Sequence, residues 1–266
     1  MLVYFKKSLK LIITIILSGL FFVFSTLWYF STDLPDYKIL ANYKPPISSR
    51  VHSAEGQLIA EYALQKRLFI PYDYIPKKVI NSFLSAEDKN FFSHPGIDVK
   101  SITRATIKNF KNTFSNKRLE GASTITQQVA KNFLLTNEVS IKRKIKEAIL
   151  AFRIERAYSK ERIMELYLNQ IYLGEGTYGI AAASLEYFDK AVGDLNYQES
   201  ALLAALPKAP SKYNPYKSIE KAKKRRNFVL RNLYENSYIN KSQYENLKNT
   251  KIKIKKRKIK LFTEAN

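Results

Sequence analysis

The sequence has no cysteine among its 266 residues and only two histidines, His52 and His94. The first absence excludes disulfides and thiolate metal sites, and the second leaves little for a histidine-based metal site. Acidic residues are also scarce, because 23 Asp and Glu stand against 45 Lys and Arg, a formal net charge of +22. This excess predicts an anionic partner, namely nucleic acid, an acidic membrane surface or a phosphate. With 45% hydrophobic residues, the chain as a whole is expected to fold.

One long run, residues 11–30, is uncharged and, as a helix of roughly 20 residues, would span about 30 Å of hydrocarbon. A cleaved signal peptide is the alternative, but its apolar region is usually about 7 to 15 residues long. The run therefore predicts an uncleaved transmembrane anchor. Charged residues flank it: Lys6, Lys7 and Lys10 before it, Asp33 and Asp36 after it. By the positive-inside rule residues 1–10 are cytoplasmic and the rest lies outside, where nucleic acid is not a usual partner.

Beyond the anchor, residues 31–49 are rich in Pro and Tyr and predict an extended linker. Two β-prone runs within residues 50–62 predict a hairpin. Apolar spacing then predicts a mainly α-helical domain over residues 50–247. The predicted helices cover residues 77–87, 99–110, 140–158, 160–173, 197–206, 222–233 and 241–247, with Ser140 and Ser159 as caps. The basic tail, residues 248–266, either contacts anionic lipid headgroups or is a solvated edge or a stub of something longer.

The first chemical motif, residues 86–96, holds two acids, two aromatic residues, a histidine and a glycine. Glu87 ends an amphipathic helix beside Phe91 and Phe92. Partial desolvation there would raise its pKa toward the range useful for a general base. A Glu-Asp pair at a helix C-terminus, with His94 in a turn, explains the spacing equally well.

The second motif, residues 121–132, carries hydroxyl and amide side chains and one lysine, Lys131, but no acid. Such a surface can donate many hydrogen bonds to phosphate oxygens. It lacks the residue order of a P-loop. A polar helix N-terminus capped by Ser123 or Thr124 is compatible with the same residues. Beside a carboxylate, this surface predicts sugar chemistry next to a phosphate.

In the third motif, Arg143, Lys144 and Glu147 share one face of a helix. Taken alone, the three residues are most often a surface ion pair of little energetic value. Two other matches are discarded. Residues 174–179 fit Gly-x-Gly-x-x-Gly, but no strand precedes them, so a helix-to-helix turn is the better interpretation. Residues 218–221 fit Ser-x-x-Lys without a following Lys-Thr-Gly, and the match is coincidental.

In order and spacing, these motifs resemble the peptidoglycan glycosyltransferases of family 51. This family comprises the polymerase domain of class A penicillin-binding proteins and the monofunctional transglycosylases. The likeness covers roughly residues 50–247. It rests on residues 87–96, 121–132, 143–147 and 160–174. The chain then either is a naturally short protein or is part of a bifunctional one whose transpeptidase domain begins in or after residues 248–266.

The resemblance implies a lysozyme-like helical fold with a membrane-facing lobe, and an inverting transfer that joins lipid II to a growing lipid-linked glycan strand. The leaving group is undecaprenyl pyrophosphate. Glu87 would be the general base, and Glu147 the second carboxylate that assists donor or metal positioning. The residues implied in substrate binding are Ser123, Gln127, Gln128, Lys131, Arg143 and Lys144 at the pyrophosphate, Asn132 in the same motif, and Asp88, Phe91 and His94, which would shape the site.

No cofactor is expected to be required, and a divalent cation, Mg or Mn, is expected at most to stimulate. The expected partners are lipid II, the growing strand, the membrane, and a transpeptidase with other cell-wall synthesis proteins, but no nucleic acid. Two alternatives remain open. A lysozyme-like glycan hydrolase would not need the cations at Lys131, Arg143 and Lys144. A non-catalytic membrane scaffold would not need complete motifs.

Overall fold

The structure is a computed structural model that describes residues 2–43, 49–52, 54–55, 58–62, 65–113, 121–136 and 138–255. Helices dominate these residues, so the predicted mainly α class is confirmed. The helices are α1 Leu2–Ser31, α2 Lys77–Glu87, α3 Val99–Thr113, α4 Ile125–Leu134, α5 Ile141–Ala157, α6 Lys160–Gln170, α7 Ile180–Phe188, α8 Tyr197–Ala205, α9 Ile219–Glu235 and α10 Lys241–Asn249. The strands are β1 Ser49–His52, β2 Leu58–Tyr62, β3 Lys66–Arg67, β4 Tyr172–Gly174 and β5 Thr177–Tyr178.

Helix α1 contains the apolar run. Its segment Leu9–Ser31 has 23 residues and is long and apolar enough to cross a membrane, and none of it is buried in the protein. At about 1.5 Å per residue it reaches about 35 Å, more than the roughly 30 Å of a hydrocarbon core. The end of α1 is fastened to α5. Ser31 Oγ accepts a hydrogen bond from Arg153, and Lys146 Nζ lies 2.8 Å from both the backbone oxygen and the carboxylate of Asp33.

The segment after α1 is not simply an extended linker, as the sequence predicted. Residues Tyr37–Leu40 form a 3₁₀ turn capped by Asp36, whose carboxylate accepts from the Lys38 amide at 2.9 Å. The turn buries Leu40 completely. Burying a leucine side chain stabilises the fold by about 2 kcal/mol, enough to favour one docked turn over a solvated chain. Residues 44–48 of the predicted linker lie outside the described residues.

The predicted hairpin is confirmed, since β1 and β2 pair antiparallel with Ser49 opposite Tyr62. A second sheet corrects the interpretation of residues 174–179 as a helix-to-helix turn. Strands β4 and β5 form a hairpin there, and β5 also pairs in parallel with β3. Glycines at positive φ, Gly174 and Gly176, allow the tight reversal that brings the strands together. Helix α6 accordingly ends at Gln170, earlier than predicted.

The core is centred on α8, which is buried from Ser200 to Ala205 and packs against α2 and α9. A helix that is apolar all round belongs in such a central position. Helix α4 packs against α5 and α6 on the other side of the molecule. Residues outside the predicted 50–247 range also contribute to the core, because Ile252 and Ile254 pack against it and Lys255 N donates to Tyr187 O at 3.0 Å. Together these contacts bring the ends of α2, α4, α5 and α9 around one cleft.

Candidate active site

A cleft of about 340 Å³ opens where the end of α2, helices α4 and α5, and the start of the α8–α9 connection meet α9. Eight of the twelve residues singled out in the sequence line it. They are Glu87, Ser123, Gln127, Gln128, Lys131, Arg143, Lys144 and Glu147. The fold therefore brings the three motifs into one site.

Glu87 is the last residue of α2, and the chain leaves the helix at Asp88. The Glu87 side chain is only partly exposed, and its Oε2 accepts a hydrogen bond from Gln128 Nε2 at 2.9 Å. Burial raises the pKa of Glu87 above its ordinary value of 4.5. The hydrogen bond from Gln128 and the charges of Arg225 and Lys208 act in the opposite direction. A carboxylate with raised proton affinity is suited to general-base chemistry.

Asp88 does not line the cleft, and it ties the first motif to the second. Its Oδ2 accepts from the backbone amide of Ile125, the first residue of α4, at 3.0 Å. His94 Nε2 lies 3.0 Å from the same oxygen and 3.1 Å from Oδ1. Because His94 Nδ1 accepts from the Gly96 amide, the hydrogen-bond network assigns the ring proton to Nε2. This buried pair sets the position of Glu87 relative to α4.

The loop after Asp88 is held in place by contacts with Lys160 and with α5. Phe91 is fully buried, and Lys160 Nζ lies 4.4 Å from its ring centroid and donates to His94 O at 2.7 Å. Gly96 has φ +92°, and a Cβ there would lie 2.8 Å from Ala151 O. Only glycine fits a backbone that approaches α5 so closely. Phe91 and His94 therefore support the site without lining the cleft.

Helix α4 begins with a capping box. Thr124 Oγ1 accepts from the Gln127 amide at 3.1 Å, and Gln127 Oε1 accepts from the Thr124 amide at 2.9 Å. Thr124, rather than Ser123, is thus the cap. Gln127 has a structural role in addition to lining the cleft. Asn132, from the same motif, is half-buried and does not line the cleft.

Three cations converge on one wall of the cleft, the donor wall, which consists of Lys131, Arg143 and Lys144. Burial lowers the pKa of Lys131, and the neighbouring charge of Arg143 lowers it further, while Glu87 acts in the opposite direction. Burial likewise lowers the pKa of Lys144, with Arg143 and Lys131 adding to the effect. Cations that repel one another in a half-buried place are stabilised by a bound anion. The donor wall therefore has the charge to hold an anion.

Glu147 holds two of these cations. Its side chain is 1% exposed, and its two oxygens contact Arg143 Nη1 and Lys144 Nζ. Lys144 Nζ also donates to Ser123 Oγ at 2.9 Å, which connects α5 to the second motif. The sequence on its own made this group a surface ion pair, but the structure buries its carboxylate. Glu147 acts as a brace for the donor wall.

The described residues contain no group of three or more His, Asp or Glu side chains that could hold a metal ion. Both oxygens of Glu147 already contact cationic side chains, those of Arg143 and Lys144. This arrangement does not fit the metal-positioning role that the resemblance implied for Glu147. Stimulation by a divalent cation stays a prediction.

The sequence interpretation missed a second wall of the cleft. This second wall consists of Pro207, Lys208, Arg225 and Phe228, from the α8–α9 connection and α9. Arg225 lies over the Phe228 ring, with its Cζ 4.5 Å from the centroid. Nothing in local spacing connects these residues to Glu87, because only the packing of α9 against α2 and α8 brings them near it. Arg225 stands in a run of basic residues, 223–226, and nothing in that run distinguishes it as a site residue.

Comparison with known proteins agrees with this geometry. A family described as transglycosylase matches residues 55–234. The chain belongs to the transglycosylase family. Penicillin-binding protein 1A of Rickettsia felis is 49% identical over 249 residues, which are 94% of this chain and 32% of that protein. Penicillin-binding protein 1A of Aquifex aeolicus is 50% identical over 224 residues, 84% of this chain and 30% of that protein.

Among solved structures, penicillin-binding protein 1A from Haemophilus influenzae matches with 25% identity and a TM-score of 0.49, over 82% of this chain and 22% of that one. The transglycosylase chain spans about a third of the length of the curated relatives it matches. The predicted transglycosylase domain of the class A penicillin-binding proteins is confirmed. The roles of individual residues stay predictions.

Proposed function

We propose that this transglycosylase polymerises lipid II into glycan strands at the membrane surface. One observation carries the proposal. Glu87, a carboxylate with raised proton affinity, shares a small cleft with the three cations of the donor wall. A base and an oxyanion site in one cleft are the two elements that sugar transfer from a pyrophosphate requires.

In the proposed reaction the 4-hydroxyl oxygen of the acceptor sugar attacks the anomeric carbon of the donor. Glu87 takes the hydroxyl proton as the new C–O bond forms. The bond between the anomeric carbon and the pyrophosphate oxygen breaks, and undecaprenyl pyrophosphate leaves with the bonding electron pair. Lys131, Arg143 and Lys144 stabilise the charge that develops on that oxygen. A single displacement of this kind inverts the anomeric centre.

A lysozyme-like hydrolase is less well supported by the same site. Glycoside hydrolysis uses two carboxyl groups, one as acid and the other as base or nucleophile. Glu147 is the second carboxylate lining the cleft, and Arg143 and Lys144 occupy its oxygens. It has no free oxygen with which to attack a sugar or activate water.

The proposal includes a location at the membrane. With α1 as a single-pass anchor in the cytoplasmic membrane, the lysines before it place the N-terminus inside and the cleft on the outer face. The substrates are then lipid II and the growing lipid-linked strand, which reach the cleft from the bilayer. We further propose that the strands pass to a transpeptidase and other cell-wall synthesis proteins.

Purified full-length chain in detergent or vesicles is expected to convert labelled lipid II into glycan polymer. The same preparation is expected to leave finished peptidoglycan uncut. Gel separation of labelled products measures the first activity, and release of soluble fragments measures the second. Fragment release without polymer would replace the transferase by the hydrolase.

Activity should depend on pH through Glu87, which accepts a proton only when it is ionised. Because burial raises its pKa, the acidic limb of kcat/KM is expected above pH 4.5. Gln128→Leu removes the hydrogen bond that lowers this pKa, so the limb should move to higher pH. Gln198→Leu, on α8 away from the cleft, is the matched control and should leave the limb in place. If the limb moves to lower pH in Gln128→Leu, the group whose ionisation it reports is not Glu87.

A further inference from the structure

The cleft has cations on both walls. The cleft is lined both by the donor wall and by the second wall, to which Lys208 and Arg225 belong with Pro207 and Phe228. Five cationic side chains and two carboxylates line the cleft as a whole. The donor wall alone accounts for one leaving pyrophosphate. In the reaction as written above, Lys208 and Arg225 act only through their charges on the pKa of Glu87 and contact neither reactant.

Arg225 is held in place by stacking and lacks a partner for its innermost donor. Its guanidinium lies 4.5 Å from the Phe228 ring centroid and 5.9 Å from that of Tyr213. Its Nε is buried without a hydrogen-bond acceptor. Burial lowers the pKa of Arg225, and the charge of Glu87 acts in the opposite direction. Because the Arg225 side chain lines the cleft, its guanidinium can donate to an acceptor that enters the cleft from outside the chain.

The two carboxylates of the cleft have partners other than Arg225. Glu87 accepts its hydrogen bond from Gln128, and Glu147 is bound by Arg143 and Lys144. Within the described part of the chain, neither Lys208 nor Arg225 forms an ion pair. The second wall therefore presents positive charge to the cleft that no ion pair within the described residues neutralises.

We propose that Lys208 and Arg225 form a second oxyanion subsite that binds an anionic group of one of the two reactants, separate from the pyrophosphate that leaves. This inference rests on the proposed function. Both reactants carry suitable oxyanions, a diphosphate and the carboxylates of a stem peptide. Arg225 donates in its fixed plane on Phe228, and Lys208 supplies a point charge beside it.

Binding and polymerisation of labelled lipid II by the full-length chain test the subsite. Arg225→Gln and Lys208→Gln should each raise Kd and KM by about tenfold, the effect of losing one hydrogen bond to a charged group, while kcat changes less. Arg225→Lys should recover part of the loss. Lys224→Gln is the matched control, because Lys224 is an exposed cation on the same helix that does not line the cleft.

A second substrate, the lipid-linked disaccharide without its stem peptide, identifies the oxyanion. If the Gln variants lose as much affinity for this substrate as they do for lipid II, each relative to the native chain, the subsite takes a phosphate. If the difference disappears, the subsite takes a stem carboxylate. Unchanged Kd and KM in both Gln variants would overturn the subsite. A native chain that binds lipid II without forming polymer would instead overturn the proposed reaction, and binding would still report on the subsite.

Discussion

Glu87→Gln is expected to lower the rate of polymer formation by about a thousandfold, because it removes the group that accepts the hydroxyl proton. Gln has nearly the same shape as Glu and can still meet Gln128, so lipid II binding should stay within about threefold of the native value, a difference below 1 kcal/mol. Initial rates of polymer formation and equilibrium binding of labelled lipid II separate the two effects. Glu235→Gln, an exposed position on α9, is the matched control.

The stability of this variant gives an independent check of the environment of Glu87. A carboxyl group with a raised pKa in the folded state is harder to ionise there than in the unfolded chain. The free energy of unfolding therefore falls as pH rises from the ordinary value of 4.5 through the folded pKa. Gln carries no charge, so Glu87→Gln should lose this dependence and be at least as stable as the native chain at pH 7. Full polymer yield in this variant would remove Glu87 from the role of base.

Glu147→Gln is expected to lower kcat/KM by about a hundredfold, because it frees Arg143 and Lys144 to leave the positions that suit the pyrophosphate. Both kcat and the KM for lipid II should change. The same substitution should lower the free energy of unfolding by about 2 kcal/mol, less than for a fully buried ion pair, because Lys144 is 48% exposed. Steady-state kinetics and thermal unfolding measure the two losses.

Glu155→Gln controls for the general cost of losing an anion on α5. Glu155 is nearly as well buried, 6% exposed against 1% for Glu147, and pairs with Lys160 instead of a cleft cation. It should lose stability without a comparable rise in KM. If Glu147→Gln keeps its native affinity for lipid II, Glu147 does not hold the donor wall in the position that binds substrate.

Much of the architecture could be predicted because local signals were strong. Residues 77–87 were predicted as a helix from apolar spacing alone and match α2. Ser140 caps α5 as expected, its Oγ accepting from Arg143 N at 3.1 Å. The apolar run predicted α1 for the same reason. Each of these features is decided by neighbours within a few residues along the chain.

The missed features depend on contacts that are distant in sequence. Arg225 is more than one hundred residues from Glu87, and only α9 packing against α2 places it in the cleft. The burial of Asp88 beneath the start of α4 is equally non-local, as is the parallel pairing of β3 with β5. The motifs behind the resemblance contain the three cations of the donor wall, but the second wall lay in none of them.

Contacts between the end of α1 and α5 set the position of α5 relative to α1. Asp33, two residues beyond the apolar segment, is bound by Lys146, a neighbour of Glu147 in sequence. With α1 in a bilayer, the proposed function has a lipid-linked substrate reach the cleft from the membrane surface without first leaving the membrane. Under that proposal its search for the enzyme is two-dimensional diffusion, and supply depends on the surface density of the lipid rather than on its concentration in water.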